Sequence, residues 1–88
     1  MTSRRVVVRG RVQGVFFRDS VRRIAAGQGV AGWVRNNPDG TVEAFFEGDE
    51  GAVERLVDFC RRGPSGAAVE GVEVYDEAPE GATRFAVR

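Results

Sequence analysis

Between residues 5 and 11 the chain alternates around the β-branched run Val6-Val7-Val8, a period of two that predicts a strand. Over 18–27 the period lengthens. Val21, Ile24 and Ala25 fall on one helical face while Arg22 and Arg23 turn outward, and Gly27 and Gly29 mark the end of that helix. Residues 30–36 return to a strand pattern. Asn37-Pro38-Asp39-Gly40 reads as a turn, because proline presets φ and glycine accepts a left-handed position. Residues 41–47 form the next strand, so the two strands make a hairpin. Asp49 stands where a cap belongs, ahead of a helix from about 51 to 62, in which Val53, Leu56, Val57 and Cys60 make one apolar stripe. Gly63-Pro64-Ser65-Gly66 ends it, and 69–76 and 84–87 read as strands around a loop containing Pro79.

The order β-α-β-β-α-β predicts an α+β protein of ferredoxin-like plan, an antiparallel sheet with two helices on one face. Residues 1–88 read as one domain, with the last segment either prolonging or following the fourth strand. A β-α-β crossover returns parallel to its starting strand, so strands one and two point the same way. Their C-terminal ends then share one edge. The loop at 10–17 follows strand one and Asn36 ends strand two, so Arg18 and Asn36 are expected to meet.

Composition narrows the setting. At 88 residues the chain is near the lower end of what folds unaided, and its single cysteine cannot close an internal disulfide. The core must therefore be hydrophobic and tight. No apolar run is long enough to span a bilayer and the first residues lack a signal-peptide core, so a soluble cytoplasmic protein with no membrane partner is expected. Net charge is zero but unevenly spread: residues 1–35 hold eight arginines against Asp19 alone, and the acids follow later. Such a half can serve an anionic ligand or nucleic acid. The plainer expectation is that the strands interleave and the charges pair across the sheet.

Chemistry concentrates in Gly10-Arg11-Val12-Gln13-Gly14-Val15-Phe16-Phe17-Arg18. A valine-rich strand enters a turn with two glycines, and a helix opens at an arginine. Loop N–H groups can converge on an oxyanion, and the helix start adds further unpaired N–H groups and its positive dipole end. Arg18 contributes a permanent charge with a planar fork that matches phosphate oxygens. Together these describe a phosphate cradle. By contrast there is no histidine, Cys60 faces the core, and the carboxylates show no metal-ligand spacing, so no metal or other cofactor is expected.

A second segment, Gly32-Trp33-Val34-Arg35-Asn36-Asn37-Pro38-Asp39-Gly40-Thr41-Val42-Glu43, makes the reading specific. With both segments present the chain resembles the acylphosphatase family, hydrolases of carboxylic–phosphoric mixed anhydrides. The family loop, close to G-R-V-Q-G-V-x-F-R, stands at 10–18, and its second motif, close to G-x-V-x-N-x-x-D-G-x-V-E, at 32–43. The resemblance implies that Arg11, Val12, Gln13, Gly14, Val15, Phe16, Phe17 and Arg18 form the phosphate-binding loop. It implies that Arg18 binds phosphate and stabilises the transition state, and that Asn36 positions the attacking water. It further implies a monomer acting on a small acyl phosphate, with inorganic phosphate as product and inhibitor, and no nucleic-acid partner.

Each of these residues also has a plainer use. Arg18 is otherwise an exposed arginine poorly placed at a helix start. Asn36 is otherwise a turn-initiating asparagine, and Asn37 is assigned to the turn. Gly10 and Gly14 are read as loop glycines allowing close approach, Gly40 as a turn glycine. Phe16 and Phe17 are read as packing residues. Trp33 alternates away from Gly32 and Val34 onto the open sheet face, where it could stack a base, which raises a rival: RNA-recognition domains share this plan. Their basic-Gly-aromatic motif is missing from strand three, which reads Thr41-Val42-Glu43-Ala44-Phe45-Phe46-Glu47. A metal-chaperone domain would need Cys-x-x-Cys, which is absent. A catalytically silent regulatory domain is the other alternative, although both catalytic positions are filled. Two departures from the family are small: Phe16 where other members carry smaller residues, and an ending Phe85-Ala86-Val87-Arg88 without a terminal aromatic.

Overall fold

Alternation along the first strand sets the layers. In the computed structural model, which describes residues 1–88, β1 (Thr2–Arg11) buries Val6 and Val8 completely on one face and sends Arg5 to the other. Then follow α1 (Phe17–Gln28), β2 (Ala31–Asn36), β3 (Val42–Gly48), α2 (Glu50–Arg62), β4 (Ala68–Asp76) and β5 (Phe85–Val87). Val6, Val8, Val34, Val42, Ala44 and Phe46 of the sheet meet Phe17, Val21 and Ala25 of α1 and Val53, Leu56, Val57 and Cys60 of α2 in one cluster. Burying each larger aliphatic side chain this fully contributes roughly 1.5–3 kcal/mol relative to exposure. No helix is long and apolar enough to cross a membrane.

The sheet order is β4-β1-β3-β2-β5. β1 runs antiparallel to β3 and β4, and β2 antiparallel to β3, so β1 and β2 do point the same way. The ferredoxin-like plan holds with one correction: β5 pairs parallel with β2, which makes the sheet mixed rather than purely antiparallel. The last segment neither prolongs nor neighbours β4. It lies at the opposite edge, and residues 77–84 cross the helix-free face to deliver it. Glu77 N–H donates to Ser3 O at 3.1 Å, Glu80 N–H to Glu47 Oε1 at 2.9 Å, and Gly32 N–H to Arg84 O at 3.0 Å.

Local expectations fared unevenly. Gly29 ends α1 in the left-handed region, with its N–H on Ala25 O and Ala26 O, whereas Gly27 lies inside the helix. Asp49 occupies the N-cap position of α2, but its carboxylate makes no cap bond. Gly10 sits at a bulge where the β1–β4 register shifts, with φ +126°, and a Cβ there would strike the Ala68 carbonyl oxygen. Its freedom serves strand pairing rather than ligand approach. The arginine-rich first half does pair across strands: Arg4 with Asp76 at 2.9 Å, and Arg5 and Arg35 with Glu43 at 3.2 and 2.9 Å.

Candidate active site

β1 ends at Arg11, residues 13–16 bend without regular secondary structure, and α1 starts at Phe17. Ser20 N–H is bonded to Phe16 O at 3.0 Å, and the N–H groups before it have no acceptor within the helix. Beside this loop ends β2. A cleft of about 350 Å³ lies between them, lined by Val12, Gly14, Phe16, Phe17, Arg18, Asp19, Asn36 and Val87. Arg18 and Asn36 therefore share one cleft, as the strand directions required.

Arg18 is only part-buried. One Nη1 bond, to the main-chain oxygen of Arg88 at 3.2 Å, ties it to the end of β5. A guanidinium carries five N–H donors, so most of its fork stays available to an anion. Asp19 brings a carboxylate to the same cleft, and its charge is engaged: Oδ1 accepts from Arg22 at 2.8 Å and Oδ2 from Arg23 at 2.6 Å. Those hydrogen bonds hold its carboxyl below the usual aspartate range. Asn36 pairs through its main chain with Val42, which leaves its amide at the strand end to face the cleft.

The turn after Asn36 is rigidly built. Asn37 N–H donates to Thr41 O at 2.8 Å, and Asn37 Nδ2 to Thr41 Oγ1 at 3.0 Å and to Glu43 Oε1 at 3.2 Å. Asp39 Oδ1 accepts from the Thr41 hydroxyl at 2.7 Å and from its N–H at 3.0 Å, which lowers the Asp39 pKa. Asn37 is thus a turn residue, as read. Glu43 is buried, which pushes its carboxyl up, yet bonds from Arg35, Asn37 and Arg5 outweigh that and hold it below the ordinary value.

A scan against family models matches the acylphosphatase model over residues 4–87. The chain is 62% identical over 85 residues to an acylphosphatase of Rubrobacter xylanophilus, covering 96% of this chain and 77% of that one. It is 60% identical over 82 residues to an acylphosphatase of Gloeobacter violaceus, covering 93% of this chain and 88% of that one. The crystal structure of an acylphosphatase from Bacillus subtilis superposes with a TM-score of 0.95 at 38% identity, covering 100% of this chain and 99% of that one. The chain belongs to the acylphosphatase family. That family hydrolyses acyl phosphates.

Within this acylphosphatase fold the other anticipated residues divide. Val12, Gly14, Phe16 and Phe17 line the cleft with Arg18, whereas the side chains of Arg11, Gln13 and Val15 do not. Arg11 closes the β1–β4 ladder opposite Ala68, and Val15 packs against the core and beside Gly66. Gln13 reaches away from the cleft and donates to Asn37 O at 2.8 Å and Thr41 O at 2.9 Å. Phe17 is buried and stacks edge-on with Phe59, but Phe16 is 80% exposed and lies outside the core cluster, against the packing role expected of it. Trp33 does lie on the open face, yet it is buried and stacked on Phe45, with Nε1 donating to Glu80 Oε1 and the guanidinium of Arg88 4.6 Å from its ring. A ring covered in this way has no free face for a base. Sequence reading missed Asp19, Val87 and the Arg88 main chain. The last two arrive only through the placement of β5.

Proposed function

We propose that the protein hydrolyses acyl phosphates in this cleft, with the phosphate held by the main chain of residues 11–18 and by Arg18, and the attacking water oriented by Asn36. The observation that carries the reading is the meeting of Arg18 and Asn36, from different elements, in one cleft at a helix start. Helix N–H groups and a guanidinium are what a phosphoryl group needs as charge builds on its oxygens. Asn36 can donate and accept without ionising, so it suits the holding of a water.

In this reading the water oxygen bonds to phosphorus as the P–O bond to the acyl group breaks, and the electron pair leaves on the carboxylate. An asparagine takes no proton at neutral pH. A phosphate oxygen therefore receives the water's proton, and the products are carboxylate and inorganic phosphate. A carboxylate leaves readily, so positioning and charge stabilisation suffice. The product fits the same cradle and is expected to inhibit. No step is routed through a metal or other cofactor.

The reading extends to a monomeric enzyme of the cytoplasm, with no nucleic-acid partner. Cys60 is a fully buried free thiol whose pKa burial pushes up to about 12, a core residue rather than a redox group. Release of phosphate from benzoyl phosphate in excess EDTA tests the activity. Turnover is expected to be unchanged by the chelator; activity that vanished and returned with Mg²⁺ would overturn the mechanism.

A further inference from the structure

Phe16 is the one non-glycine residue of the chain with a positive φ, at φ 62° and ψ 27°. A side chain in that region crowds its own backbone, and a phenylalanine has no local polar contact to offset the strain. Phe16 is also the N-cap of α1, where its ring supplies no cap bond. It gains nothing from burial either, since it is 80% exposed while Phe17, Phe45 and Phe46 are almost wholly covered. Glycine or asparagine would suit the backbone better on every count. Strain of this kind, held at a binding cleft, points to a use for the side chain itself.

Four large apolar side chains are left exposed: Met1, Phe16, Tyr75 and Val87. Two of them, Phe16 and Val87, line the same cleft as Arg18 and Asn36. Their origins are independent, one in the loop before α1 and the other in β5. The cleft is of small-molecule size, and the anion requires only its amide- and guanidinium-bearing part. An acyl phosphate has two ends, a dianionic one and an apolar one.

We propose that the Phe16 ring, with Val87, seats the acyl group of the substrate and biases the enzyme toward aromatic and bulky apolar acyl phosphates over acetyl phosphate. This rests on the phosphate being held as set out under Proposed function. The left-handed backbone turns the ring out of the core and toward the cleft while its neighbour Phe17 goes in. The polar determinants recognise what all acyl phosphates share, and the exposed ring discriminates among them.

The test compares kcat/KM for benzoyl phosphate and acetyl phosphate in the wild type and in Phe16→Asn, Phe16→Gly and Phe16→Tyr. Asn and Gly are expected to lower the benzoyl-to-acetyl ratio roughly three- to tenfold, mainly through KM for benzoyl phosphate, while Tyr keeps it within about twofold. Asn is also expected to melt at or above the wild-type temperature, because it tolerates the left-handed backbone. A benzoyl-to-acetyl ratio unchanged in both Asn and Gly overturns the proposal. So does a parallel loss on both substrates, which a purely structural role would produce. Failure of the wild type to turn over either substrate overturns the acyl phosphate reading itself.

Discussion

Gln13 Nε2 lies 2.8 Å from the main-chain oxygen of Asn37 and donates to it. The same amide donates to Thr41 O at 2.9 Å, so one side chain of the loop before α1 grips both sides of the β2–β3 turn. That turn begins at the residue after Asn36. The grip ties the loop that precedes α1 to the turn that follows Asn36.

Gln13→Ala is therefore expected to loosen one half of the site from the other. Two hydrogen bonds go, at a stability cost of about 1–2 kcal/mol. A small displacement of the water relative to phosphorus lowers kcat roughly tenfold or more, while inhibition by phosphate changes little. Steady-state kinetics with phosphate as inhibitor, alongside urea unfolding, checks this. Unchanged kcat would mean that the turn holds Asn36 unaided, for which its own Asn37–Thr41–Asp39 bonds would be sufficient.

Arg18→Lys separates charge from shape. Lysine keeps the charge and loses the bidentate fork, so transition-state stabilisation is expected to fall by on the order of 3 kcal/mol, comparable to losing an oxyanion donor. Stability should hardly move, since the residue is part-buried and its contact with Arg88 O is a single exposed bond. Near-wild-type kcat/KM in the lysine variant would refute the bidentate model. Near-wild-type kcat/KM in Arg18→Ala would refute the site.

Asn36→Ala probes the water alone. The expected result is a large fall in kcat with phosphate inhibition preserved, because the anion's contacts are assigned to the loop and Arg18. Equal loss of both would reassign Asn36 to phosphate binding. Far-UV circular dichroism matching the wild type serves as the fold control.

Glu43 gives the fold a pH dependence of definite sign. Its folded-state pKa lies below the ordinary 4.5, so its contribution is complete above that value and is lost as pH falls through the folded-state pKa. Glu43→Gln, which leaves Arg35 without a charged partner and Arg5 with Glu77 alone, at 3.6 Å, is expected to cost on the order of 2 kcal/mol at neutral pH. The gap from wild type should close on acidification. Urea midpoints measured at about pH 7 and about pH 3 decide it. A gap that persisted at the acid end would mean that shape, not charge, is what Glu43 supplies.

Much of this protein was legible in one dimension because its signals are local. The hairpin is carried by Asn37-Pro38-Asp39-Gly40, and the stripe of α2 by Val53, Leu56, Val57 and Cys60, all residues that act on near neighbours. The shared cleft of Arg18 and Asn36 was legible too, since strand direction follows from the β-α-β connection. Phe16 was misread for a physical reason. Hydrophobicity predicts burial, but the left-handed backbone at the start of α1 can send only one of two adjacent phenylalanines inward, and Phe17 takes that place.

The sequence by itself determined the order of the elements, the loop, the turn and the meeting of Arg18 with Asn36. Tertiary structure alone decided where β5 goes. Three residues are too few to carry a period, and parallel pairing at a far edge leaves no turn signal between partners. The crossing of residues 77–84 over Trp33 and Glu47, and the vacant edge of β2, settle its position together. That position brings Val87 to the cleft and the Arg88 main chain to Arg18. Gln13 obeys the same logic. Its two acceptors are main-chain carbonyls, which every residue type presents alike, so their meeting depends on the fold and leaves no mark in the order of side chains.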